Sequence, residues 1–254
     1  DRSRRPARPR MRGPEPADFR FRPMGDQSLL IEFEESISSA IHRKVRALSQ
    51  AIERAEIPGV REVIPAYRSM LVHYDPQGTS IEDLCLRVRK LETSPGELDA
   101  TASRRVRIPV CYGGDLGPDL AYVARHNGLT EDDVVAVHSG ATYLVYMVGF
   151  LPGFPYLGGM SDKIATPRLP EPRTKTPAGS VGVAGTQTGI YPIESPGGWR
   201  IIGRTPIELF RAHEVPPARL RMGDSVEFVP ISLSEFEEIR AKAGETPWAR
   251  IGAT

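Results

Sequence analysis

Cysteine is nearly missing from this chain: two residues in 254. Cys85 and Cys111 fall on stretches expected to be helix and strand, so they read as buried thiols of a reducing compartment, and a cytoplasmic protein is expected. Histidine is also sparse. His42, His73, His126, His138 and His213 stand at no metal-ligand spacing, and no metal site is expected. No apolar run approaches the roughly 18 residues of a membrane span, so no membrane partner is expected. A formal net charge of +1 offers no broad attraction to nucleic acid, and none is expected as a partner. Neither a G-x-x-x-x-G-K-[ST] phosphate loop nor a G-x-G-x-x-G fingerprint occurs. Gly179, Gly182 and Gly185 recur every three residues without forming either. A G-x-S-x-G elbow is absent too, which argues against a hydrolase of that type.

What the chain has in excess is glycine and proline, concentrated in one place. Between Gly149 and Trp199, 18 of 51 residues are Gly or Pro, against 48 of 254 overall. A flexible linker of that composition would lack large apolar groups. This segment instead interleaves Phe150, Leu151, Phe154, Tyr156, Leu157, Ile190, Tyr191, Trp199, Ile201 and Ile202. The mixture predicts short ordered strands joined by tight turns. Charge is concentrated elsewhere. Residues 1–17 hold six arginines against Asp1 and Glu15, with four prolines and almost nothing apolar, so a disordered basic tail is expected there.

Leu29, Ile31 and Phe33 alternate with polar neighbours and predict a half-buried strand. Ile37, Ile41, Val45, Leu48 and Ile52 follow at helical spacing on one face, with Ser38 or Ser39 as N-cap and Ile57-Pro58-Gly59 as the stop. Val60–Ile64 and Ser69–Tyr74 read as strands. Thr79-Ser80 then opens a helix with Ile81, Leu84, Val88 and Leu91 on its apolar side. With a further strand at Arg105–Val110, this order suggests a ferredoxin-like split βαβ domain. The expected division is therefore an α+β N-terminal domain over 18–100, ending in a polar linker from Thr93 to Ser103. A β-barrel domain over 101–254 follows and ends in a charged helix, Ser232–Ala243. Thr130-Glu131-Asp132-Asp133 predicts a helix start whose acidic first turn suits the helix dipole.

Three blocks are unusual enough to be specific: Val148-Gly-Phe-Leu-Pro-Gly-Phe-Pro-Tyr-Leu157; Pro172-Arg-Thr-Lys-Thr-Pro-Ala-Gly-Ser-Val181, continued by Gly185-Thr-Gln-Thr-Gly-Ile-Tyr-Pro192; and Pro196-Gly-Gly-Trp-Arg-Ile-Ile-Gly-Arg-Thr205. With them the chain resembles the family of the 5-oxoprolinase B subunit, formerly allophanate hydrolase subunit 1, which includes Kip-type histidine-kinase inhibitors. The family also resembles one half of the carboxyltransferase domain of urea carboxylase. The resemblance runs from Phe19 to Pro230. It implies a cyclophilin-like C-terminal barrel and a second barrel protein, the 5-oxoprolinase C subunit, as partner. Together with the A subunit, that assembly would open 5-oxoproline to glutamate at the expense of ATP, bound by or with the partner subunits. Inhibition of a sensor kinase and a carboxyltransferase role remain alternatives on the same fold.

A substrate with a carboxylate and a lactam calls for a guanidinium and amide-directed hydrogen bonds. Arg173, Arg204 and Thr205 in these blocks are the expected substrate-binding groups, with Tyr191 and Phe154 as pocket wall. Gln187, between two threonines, can orient a lactam. Lys175 can polarise a carbonyl, and His138, beside the block, has the chemistry of a general base near neutral pH. Each has a structural alternative: salt bridge, turn amide, solvated lysine, satisfied helix-end histidine, or core aromatic.

Overall fold

The computed structural model describes residues 19–34, 39–92 and 104–242. The expected basic tail and the expected linker at Thr93–Ser103 lie outside them. The chain forms two compact units, divided between Leu98 and Asp99.

In the first unit, β1 (Arg20–Pro23), β2 (Ser28–Glu32), β3 (Val60–Pro65) and β4 (Ser69–Tyr74) form an antiparallel sheet in the order β1-β2-β4-β3. The helices α1 (Ser39–Arg54) and α2 (Ile81–Glu92) complete it. The alternation in the sequence has a direct cause. Leu29, Ile31 and Phe33 are buried, as are Met70, Val72 and Tyr74, while Leu30, Glu32, Leu71 and His73 between them are half-buried. Ile41, Val45, Leu48 and Ile52 of α1 and Leu84 and Val88 of α2 join them in one core. Each such side chain contributes about 1.5–3 kcal/mol by leaving water. The path from β2 through α1 to β3 leaves β4 between the two strands, a split crossover. One element differs from the sequence reading. The strand beginning at Arg105 does not complete this sheet; β1 takes the edge beside β2. Arg105 and the residues after it pair elsewhere.

In the second unit seven strands close into a barrel: β5 (Arg105–Tyr112), β6 (Thr142–Val148), β7 (Pro155–Gly158), β9 (Ser180–Ala184), β10 (Gln187–Ile190), β12 (Arg200–Arg204) and β13 (Ser225–Pro230). Their order is β10-β7-β6-β13-β5-β12-β9, with β9 pairing back to β10. Strands β5 and β13 run parallel in unbroken register from Arg105↔Ser225 to Val110↔Pro230, and the other pairs are antiparallel. Closure leaves the barrel no free edge. A separate ribbon pairs β8 (Arg173–Thr176) with β11 (Ser195–Gly197).

Helices α3 (Leu120–Asn127) and α4 (Glu131–Ser139) precede β6, and α5 (Leu233–Lys242) follows β13. Thr130 caps α4 in a reciprocal box with Asp133, at the start the sequence indicates. Gly128 ends α3 in the left-handed conformation. The barrel is filled by Val106, Ile108, Val110, Val145, Leu157, Val181, Val183, Ile190, Ile202 and Val226, with Tyr143 and Phe228 among them. The architecture is α+β with a closed seven-stranded barrel.

Candidate functional site

The same barrel strands carry a second, smaller cluster on their other face. Phe154, Ala184, Tyr191, Trp199 and Ile201 are buried together, with Leu151 and Tyr156 packed against them. Along β7, Leu157 belongs to the barrel core while Tyr156 belongs to this outer cluster. Glycines make the arrangement possible. Gly182 and Gly189 are cross-strand partners. A Cβ on Gly189 would stand 3.0 Å from the Phe154 ring, and one on Gly182 would stand 3.1 Å from Trp199 Cβ. Without side chains there, aromatic rings lie directly on the sheet. The ring of Phe154 sits 5.3 Å from Tyr191 and 5.5 Å from Trp199, both edge-on, and 5.0 Å from Tyr156. Edge-on pairs of this kind add about 0.5–1.5 kcal/mol each beyond area burial.

Phe150 extends the cluster outward. Its ring is 6.5 Å from Phe154 and edge-on to it, yet the residue is 80% exposed. Its φ is +68°, a left-handed conformation costing a non-glycine residue roughly 1–2 kcal/mol.

Two guanidinium groups adjoin the aromatics. Arg168 lies over the Trp199 ring at 5.9 Å. Its charge opposes the upward shift that burial imposes on the Tyr156 and Tyr191 phenols. Arg173 is held differently. It donates two hydrogen bonds to the Asp119 carboxylate, at 2.9 and 2.8 Å, and one to the Trp199 carbonyl at 3.3 Å. Asp119, buried at the N-cap of α3, makes no side-chain bond to its own helix. It accepts instead from the Ile201 N–H at 2.6 Å, and Arg200 approaches it at 3.9 Å. Arg200 in turn stacks on Tyr122, 3.7 Å from the ring centre. This network ties the β8 ribbon and β12 to α3. Arg173 is therefore engaged in holding the barrel, with its carboxylate partner 54 residues away in sequence.

The remaining expected site residues scatter. Phe154 and Tyr191 are in the outer cluster. Gln187 occupies a register position on the same face as Gly189, opposite Ala184. Lys175 is 77% exposed on the ribbon and 3.5 Å from Glu194. Arg204 donates to the Ala178 carbonyl at 2.8 Å, and burial lowers its pKa. Thr205 is buried, its hydroxyl accepting the Ile207 N–H and its own N–H donating to Gly179. Arg204 and Thr205 thus hold the turn at Ala178-Gly179, whose Gly179 N–H donates in turn to the Tyr191 carbonyl at 2.7 Å.

His138 lies in the interior. It is fully buried in the barrel, stacked 4.5 Å from the Phe228 ring. Both nitrogens are occupied: Nδ1 is 2.8 Å from the Tyr112 hydroxyl and Nε2 is 2.9 Å from Thr188 Oγ1. Thr188 donates its own proton to the Gly182 carbonyl at 3.0 Å, so it accepts from an Nε2–H. The Tyr112 hydroxyl then donates to Nδ1, which fixes the tautomer of a neutral ring. Desolvation lowers its pKa to about 3. Both ring nitrogens are thus committed inside the barrel, at the residue where the sequence leads one to expect a general base. Among the described residues no group of three or more His, Cys, Asp or Glu is placed to hold a metal ion. Among the described residues, too, no helix is long and apolar enough to cross a membrane.

The family model of the carboxyltransferase domain, subdomain C and D, matches residues 19–220. The chain belongs to this family. It is 45% identical over 236 residues to the 5-oxoprolinase B subunit of Bacillus subtilis, covering 89% of this chain and 98% of that protein. It is 42% identical to the 5-oxoprolinase B subunit of Escherichia coli O157:H7, covering 82% and 94%. Among solved structures, TTHA0988 superposes with a TM-score of 0.72 at 37% identity, over 81% of this chain and 40% of that one.

Proposed function

We propose that this chain is the B subunit of an ATP-dependent 5-oxoprolinase, acting in the cytoplasm on the lactam ring of 5-oxoproline to yield glutamate. The observation that carries the reading is the 45% identity to a named 5-oxoprolinase B subunit, across nearly all of that protein. The partners are the second barrel protein of that enzyme, its C subunit, together with its A subunit. The split crossover supports a ferredoxin-like variant for the N-terminal unit, and the closed barrel supports a cyclophilin-like one, with the boundary near residue 100. In this reading the working surface is the outer aromatic face, where strained Phe150 and half-buried Tyr156 border Trp199 and Arg168.

ATP belongs with the partner subunits. The helix N-termini of the barrel unit do not suit a triphosphate. Helix α4 opens on Glu131, Asp132 and Asp133, and α5 carries Glu235 in its first turn. At the N-cap of α3, the Asp119 carboxylate is locked to Arg173. Negative charge at these positions repels phosphate where a helix would otherwise attract it.

The test is ATP-dependent glutamate formation from 5-oxoproline by the three co-expressed subunits, with and without this chain. Loss of activity on omission is expected. Activity that persists without it removes the reading.

A further inference from the structure

The arginines of the glycine- and proline-rich region divide sharply by what already holds them. Arg173 is bidentate on Asp119. Arg200 is buried on Tyr122, donates to the Pro167 carbonyl and faces the same aspartate. Arg204 is committed to the Ala178 carbonyl. Arg168 alone of these four is exposed and, among the described residues, has no carboxylate partner. It is nonetheless positioned, its guanidinium lying over Trp199. Its charge also acts on the Tyr156 and Tyr191 phenols, against the upward shift from burial.

A guanidinium presented beside aromatic rings and left without an anion has the chemistry to clamp a planar carboxylate while the rings cover an adjoining flat, apolar group. We propose that Arg168 is the carboxylate anchor of the substrate site, with Trp199 and Tyr156 forming the wall for the five-membered ring. The proposal rests on the 5-oxoprolinase reading above, and it names a residue outside the expected substrate-binding set. Arg173, one of the two guanidinium groups expected from the motifs, is a positioning residue that holds β8 and β12 to α3 through Asp119.

The experiment uses the assembled complex carrying Arg168→Ala or Arg168→Lys in this chain, with assembly checked by gel filtration. For Arg168→Ala the KM for 5-oxoproline is expected to rise about tenfold to a hundredfold, as loss of a charge-assisted hydrogen-bond pair implies, with kcat changed much less. Arg168→Lys keeps the charge but not the planar fork, so an intermediate KM is expected. An unchanged KM in an intact complex overturns the anchor while leaving the 5-oxoprolinase reading standing. Dissociation of the complex by Arg168→Ala also overturns it, placing Arg168 at an interface with a partner instead. Failure of the reading itself has a separate signature, turnover by a complex that lacks this chain altogether.

Discussion

The inner and outer faces of strands β7, β9, β10 and β12 are built from the same short stretches of chain, and they obey different rules. Inside, Leu157, Val181, Val183, Ile190 and Ile202 interdigitate with aliphatic neighbours, and the polar line Tyr112–His138–Thr188 is bonded end to end. Outside, rings rest on glycines, a ring is held in water at the cost of backbone strain, and a guanidinium stands without a carboxylate among the described residues. The inner face is satisfied. The outer face retains bonding capacity, and that is where a ligand or partner has something to gain.

The comparison breaks first at its joint. Asp119→Ala removes the carboxylate on Arg173 and orphans the Ile201 N–H. Breaking a buried pair from one side should cost about 3–5 kcal/mol, the largest effect expected, read as a lower urea midpoint. An unchanged midpoint would show that the network holds nothing.

On the inner face, Thr188→Val strands the His138 Nε2–H, at about 1–3 kcal/mol for a buried donor left unsatisfied. The same line gives a pH signature. His138 titrates near 6.5 when unfolded and at about 3 when folded, so the unfolded state binds the extra proton between those values. Its contribution is full above pH 6.5 and falls by about 1.4 kcal/mol per pH unit as pH drops toward 3. A His138 ring resonance that stays in its neutral form down to about pH 4 is the expected NMR result. A midpoint near 6.5, the ordinary value, would contradict the enclosed ring.

The outer face gives the smaller stability effects. Phe150→Gly should stabilise the fold by about 1 kcal/mol, because it relieves a positive φ and gives up little burial. Arg168→Ala should cost no more than about 1 kcal/mol, the scale of an exposed cation–π contact. A large loss in either would make the outer face a packing device.

How much of this is readable in the sequence follows from the range of the forces involved. Alternation at Leu29, Ile31 and Phe33 and the helical spacing of Ile41, Val45, Leu48 and Ile52 report local burial, and both elements form where the pattern indicates. The helix start at Thr130 is legible for the same reason, since its cap closes within one turn. The destination of the Arg105 strand is not. Its partners begin at Ser225 and Gly203, and nothing local distinguishes a barrel strand from the last strand of a sandwich. Side-chain partners are hidden in the same way. Arg173 looks free in the sequence because Asp119 is remote, and His138 looks reactive because enclosure by Tyr112, Thr188 and Phe228 is a tertiary fact. Within the Gly/Pro block, Phe154 and Tyr191 do meet. Composition alone does not show which arginine is without a carboxylate partner among the described residues.

The claim that function lies outside the barrel and stability inside it is tested most directly by steady-state 5-oxoproline turnover in the assembled complex, comparing Arg168→Ala with Tyr112→Phe. The expected result is a reduced kcat/KM for Arg168→Ala at nearly unchanged stability, and a kcat/KM near wild type for Tyr112→Phe despite a lower unfolding midpoint. The reverse pattern, with turnover sensitive to Tyr112 and indifferent to Arg168, would contradict it.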